Sequence, residues 1–242
     1  MKSNFSSGMH RYFFNPFSII ILIFLILALI FLLPLIFLGI IGSALSRLGF
    51  GPAGVILILF GSIIGSFINI PVAKIKSNPT AFKVPHGLLM NRYYRVSDFS
   101  TETVVAVNFG GAVIPVLISI ILLFRMMSMG YDSGLYISVL VAVLLVAFVT
   151  NRFAGPVQGV GIVTPFFVPP LCALLCGIVF GWGDSLAAPV IAYIGGTMGT
   201  LAGADLLNLK RLGEIGAPVA SIGGAGTFDG VFLTGIIAAL LA

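Results

Sequence analysis

Charge is scarce in this sequence of 242 residues, where Asp, Glu, Lys and Arg together make up 8%. Soluble domains carry about 25%, and a water-soluble fold could not cover its surface with so few. Cysteine is scarce as well, with two residues, which excludes a disulfide scaffold. The two histidines, His10 and His86, stand apart from any other ligand type, so no metal site is expected. The phosphate loop, the haem motif and a Ser/His/Asp set are all missing, and no cofactor is expected. Glycine is plentiful at 30 residues but follows no three-residue period, which removes collagen. What is present is apolar: 59% hydrophobic residues and a mean hydropathy of +1.20. That composition belongs to an integral membrane protein.

A helix needs about 20 apolar residues to cross a hydrocarbon core of about 30 Å. Seven stretches suit this role: Phe17–Leu45, Ala53–Asn69, Val104–Leu123, Leu135–Val149, Val163–Gly181, Ser185–Asn208 and Ala217–Ala242. The expected fold is therefore all-α, a polytopic membrane helix bundle with broken Gly-rich segments and one integral membrane domain over residues 1–242. The first run is too long for the apolar core of a cleaved leader. Pro34 inside it predicts a kink. With the N-terminus in the cytoplasm, Lys2, Arg11, Lys74, Lys76, Lys83, Arg92, Arg95, Arg152, Lys210 and Arg211 fall inside, and only Arg47 and Arg125 outside. This bias predicts a multi-pass protein of the cell membrane with an external C-terminus. Residues 72–102 become a cytoplasmic loop. The net charge of +5 then suits anionic membrane lipid as a partner. Scattered basic residues with few interleaved aromatics argue against nucleic acid.

Polar residues inside membrane spans default to candidate sites. Asn69, Asn108, Asn151, Gln158, Asp205 and Asn208 all fall toward the cytoplasmic ends of the expected spans. For Asn69, Asn151 and Asn208 the plainer reading is a helix cap. Asp205 precedes Lys210 by five residues, so it should lie about 7 Å below the inner interface. Counting back from Ala242, Asp229 falls about 20 Å from the outer face and about 10 Å below the inner one. The two carboxyls reach similar depth only if the segment containing Gly223, Gly224 and Gly226 is broken. The run Ala154–Pro165, with Gln158, has a similar composition. Cys172 and Cys176 read as packing residues.

The segments GSFINIP, AVNFGGAVIPV, NRFAGPVQGVGI, AGADLLNL and SIGGAGTFDGVFLTG resemble an uncharacterised family of archaeal and bacterial integral membrane proteins, domain of unknown function 1614. That resemblance implies a multi-pass protein and brings no activity. Asp205 in ADLLNLKRL and Asp229 in GGAGTFDG are also similar to the intramembrane aspartyl proteases, which use one Asp near a helix end and one in a Gly-x-Gly-Asp turn. Here Thr227 and Phe228 separate Gly226 from Asp229. A literal Gly-x-Gly-Asp occurs at Gly181–Asp184, with a Tyr-Asp pair at Tyr131–Asp132, and both read as external turns.

Two functions stay side by side at this point. In an aspartyl-type intramembrane peptidase, Asp205 and Asp229 are the catalytic pair. Asn108, Gln158 and the backbone at Gly223, Gly224 and Gly226 then meet a membrane-protein or peptide substrate. In a small secondary transporter or ion-coupled carrier, the same aspartates bind the ion. A third, structural reading makes both aspartates buried packing groups. The sequence leaves the oligomeric state open.

Overall fold

The computed structural model describes residues 16–76, 102–157, 161–211, 219–224 and 230–242. Seven α-helices are present among them: α1 (Pro16–Arg47), α2 (Pro52–Gly65), α3 (Ile114–Ser128), α4 (Ser133–Phe153), α5 (Val168–Phe180), α6 (Ala187–Thr200) and α7 (Gly230–Leu241). The chain divides into two units, Met1–Ile40 and Ile41–Ala242. In the first, α1 runs on through Pro34, and the side chains from Ile19 to Phe37 are all exposed. Such a wholly apolar, uncovered helix is what lipid contact calls for.

The second unit is built around α6. Every residue of this helix except Met198 is buried, and small residues make that burial possible. A Cβ at Gly195 would stand 2.9 Å from the Ala142 side chain, and one at Gly199 would stand 2.6 Å from Val146. Helices in a membrane associate through such close backbone approach rather than through hydrophobic expulsion from water. The core continues through Ile118 and Leu122 of α3, Ala173 of α5, and Phe232 and Ile236 of α7.

The all-α expectation is corrected by a small sheet. Strand β1 (Asn69–Lys76) pairs antiparallel with β2 (Glu102–Asn108), and β2 pairs parallel with β5 (Val219–Ile222). A hairpin of β3 (Gly155–Val157) and β4 (Gly161–Val163) forms a second sheet. The expected span from Val104 fails at its start for this reason: TVVAV is β-branched and short, and it pairs on both sides instead of coiling. Likewise α2 stops at Gly65, so Asn69 opens a strand rather than closing a helix. Residues 72–76 and 102, read as loop, are also strand, and 77–101 lie outside the described residues.

Among the described residues, full-length spans number four against the seven expected. Four helical runs are long and apolar enough to cross a membrane: Ile19–Arg47, Phe109–Ser128, Ser133–Phe153 and Ala187–Arg211. Helices α2, α5 and α7, with 14, 13 and 12 residues, are shorter. Two of the long runs contain a turn of π-helix, Phe109–Val113 and Leu201–Asp205.

Two ends of the second unit can be told apart by their bonds. At one, Arg47 donates to the Leu240 carbonyl and Arg125 to the carbonyls of Leu48 and Gly49, so α1, α3 and α7 finish together. Tyr131 and Asp184, just ahead of α4 and α6, bond to each other across 2.7 Å. At the other end the strands and both π-turns meet.

Candidate functional site

Asp205 closes the π-turn that follows α6. A π-turn leaves carbonyls without their usual helical donors, and here two asparagines supply them. Asn151 donates to Gly203 O across 3.1 Å, while Asn208 donates to Gly203 O at 2.9 Å and Ala204 O at 3.0 Å. Both asparagines therefore act as caps. The half-buried Asp205 carboxylate accepts from the Gly223 N–H at 2.8 Å. Gly223 follows β5 directly and has φ +79°, a region where L side chains are strained.

That glycine is also wedged against the other π-turn. A Cβ on Gly223 would stand 2.6 Å from the Ala112 side chain, and one on Gly111 would stand 2.0 Å from Gly223 O. Two glycines thus let the backbones of the Phe109–Val113 turn and the β5 end touch. Asn108, buried at the head of this turn, fixes the geometry. Its carbonyl oxygen accepts from Gly111 N–H at 2.7 Å. Its amide donates to Ser66 O at 2.8 Å and Asn69 Oδ1 at 3.1 Å. Ser221 Oγ donates to the same Asn69 oxygen at 2.7 Å. One chain of bonds thus joins the end of α2 to β1, β2 and β5, and the close packing of Gly111 on Gly223 sets it against Asp205.

Of the residues singled out in the sequence, the structure brings together Asp205, Asn108 and Gly223, with Gly224 next along the chain at φ +78°. Asp229, Gly226 and Gln158 lie outside the described residues. Asn69 is part of this network rather than a simple cap. Ser66 and Ser221 were missed, since neither carries charge nor belongs to a motif. Their only sequence signal is a hydroxyl next to an asparagine-rich stretch or a glycine pair.

The literal Gly-x-Gly-Asp belongs to the other end. Asp184 accepts from Leu186 N–H and Ala187 N–H at 2.9 Å each, capping the start of α6. The Ala187 N–H, outweighing the effect of burial, holds its carboxyl below the usual carboxylate range, with help from Tyr131. The bond to Asp184 raises the Tyr131 phenol above its ordinary value. Asp132 caps α4 through Gly134 N–H at 3.1 Å. No group of three or more His, Cys, Asp or Glu capable of holding a metal occurs among the described residues. Cys172 and Cys176 are free thiols on α5.

Fold and site together define a multi-helix chain of membrane composition, with a polar centre where three strands and two π-turns converge. The chain belongs to the family described as Protein of unknown function (DUF1614), whose sequence profile matches residues 63–241. The matched stretch holds Asn69, Asn108, Asp205, Gly223 and Asp229, and omits α1. No curated protein and no solved structure matches the chain.

Proposed function

We propose that this protein is an aspartyl-type intramembrane peptidase of the cell membrane, with Asp205 and Asp229 as its two carboxyls. The observation that supports it most is the Asp205 carboxylate bound at 2.8 Å to Gly223 N–H, in a last segment that is strand and glycine turn before it is helix. Asp229 immediately precedes Gly230, where α7 begins. Two neighbouring carboxyls share a proton because they cannot both ionise cheaply. The ionised one takes a proton from water as the oxygen attacks the peptide carbonyl carbon. The protonated one gives its proton to the carbonyl oxygen, and collapse of the adduct releases amine and acid.

A peptide substrate also suits the sheet. Strand β5 is an outer strand among the described residues and leads straight into Gly223. An extended segment laid along such an edge gains main-chain hydrogen bonds. Backbone N–H groups around Gly224 and Gly226 are the donors proposed for the developing oxyanion, and Gln158 a further substrate contact. Since both amide hydrogens and the oxygen of Asn108 are engaged in the fold, its part is positioning. The Lys and Arg bias supports a cytoplasmic side for this centre. Arg47 and Arg125, the two exceptions, are bound to carbonyls at helix ends.

The test uses the full chain in liposomes with a panel of single-span peptides. Asp205→Asn and Asp229→Asn should each lower cleavage by about 10²–10⁴. Full cleavage by either variant overturns the reading. The two interruptions, the β3–β4 hairpin and the β5 turn, favour a transporter as the second reading. Aspartate-dependent ion or solute flux without cleavage would select it.

A further inference from the structure

Above Asp205, α6 carries three hydroxyl residues, Tyr193, Thr197 and Thr200, whose oxygens are buried and without a hydrogen-bond partner. Their exposures are 0%, 0% and 3%. Thr150 of α4, packed near Gly203 of the π-turn, is a fourth. A buried hydroxyl without a partner is costly. A helical threonine or serine can remove that cost by bonding the carbonyl four residues back. Thr234 does so to Gly230 O at 2.6 Å and Ser119 to Pro115 O at 2.9 Å. The α6 hydroxyls do not. Those of Tyr193 and Thr197 approach one another without reaching hydrogen-bond geometry.

These three residues form one face. With about 3.6 residues per turn, Tyr193, Thr197 and Thr200 fall within about 60° of each other. On an unbroken helix Asp205 would lie about 120° from Tyr193. The π-turn Leu201–Asp205 takes up one extra residue, which by the same arithmetic brings position 205 back by about 100°, toward the hydroxyl face. Gly235 of α7 lies against that same face, since a Cβ there would meet Thr197 Oγ1 at 2.2 Å and the Tyr193 ring at 3.0 Å.

We propose that Tyr193, Thr197 and Thr200 hold a short file of buried water that runs from the middle of the bundle to Asp205. Water is the ligand that satisfies isolated hydroxyls, each molecule joining two to four polar partners among side chains, carbonyls and other waters. Its use rests on the peptidase reading, where this file keeps water beside the Asp205 carboxyl; its existence does not.

The experiment is hydroxyl-radical footprinting of the full chain in lipid nanodiscs, where radicals form at bound water. Tyr193 and Phe232 are both 0% exposed. Tyr193 should label several-fold more than Phe232. Thr197→Val and Thr200→Val should remove the excess and lower the thermal midpoint, while Thr197→Ser keeps both near wild type. Removing a dry, unpaired hydroxyl instead raises stability. A Tyr193 as silent as Phe232, or valine variants that gain stability with labelling unchanged, overturns the proposal. Neither readout depends on cleavage, so a peptide panel that stays intact counts against the peptidase and not against the water file.

Discussion

The two ends of α6 solve the same problem in opposite ways. Around Asp184 the chain finishes each helix and seals it: arginines cover carbonyls just past α1 and at the end of α7, and Asp132 and Asp184 cover the first N–H groups of α4 and α6. Around Asp205 the helices are broken before they finish, and the freed backbone groups go to strands, asparagines and a carboxylate. A carboxylate at the first end is a cap that any Asn or Ser could approximate. At the second end the acid is what the break is arranged around. The contrast teaches that an acidic residue near a helix end has to be judged by what its neighbours give up to hold it.

Substitutions can break this contrast. The largest effect belongs to Gly111→Ala, which drives a methyl into Gly223 O, and to Gly223→Ala, which also strains a left-handed backbone. Each should cost about 2–4 kcal/mol, an overpacking and strain cost together, and calorimetric or dye-based unfolding in detergent reads it. Asn108→Ala comes next: it takes away the acceptor of Gly111 N–H and the side-chain donor to Ser66 O in the interior, for about 2–3 kcal/mol by the same measurement. At the sealed end Asp184→Ala should cost only about 1 kcal/mol and leave cleavage unchanged. Equal sensitivity at both ends would remove the distinction.

The smallest effect is a pH dependence. The folded Asp184 carboxyl titrates below its unfolded value, so its contribution is whole above about pH 4 and disappears as pH falls through the lowered value. The gap in unfolding midpoint between wild type and Asp184→Asn should therefore be constant near neutrality and close in acid. Tyr131 has the reverse sign. Its contribution is present below about pH 10 and is lost as pH rises through the raised value. A Tyr131→Phe variant should thus differ from wild type at neutral pH and converge with it in strong alkali.

Several features could be read before any coordinates. Asp205 stood out because a carboxylate in an apolar run is expensive, and the glycines at 223 and 224 signalled the interruption that the turn and β5 display. The sheet could not be read. Its third strand, β5, lies more than a hundred residues beyond β2, and TVVAV as a short apolar run suits a helix or a strand equally. Nor could the π-turns be read, because a single inserted residue shifts the helical phase once and leaves no repeating pattern to detect. Asn108 was noticed as a polar side chain at depth, but its bonds to Ser66 and Asn69 depend on β1 and β2 lying side by side.

Helix α5 carries a consequence for the surrounding lipid. Its 13 residues rise about 20 Å, against a hydrocarbon core of about 30 Å, and Leu171, Leu175 and Val179 stand exposed along it. Where α5 crosses the membrane, acyl chains on that flank have to shorten to match it. Thin bilayers therefore fit this molecule better than thick, sterol-stiffened ones, and chain length in the host membrane becomes a control on where it settles and how firmly it holds its shape.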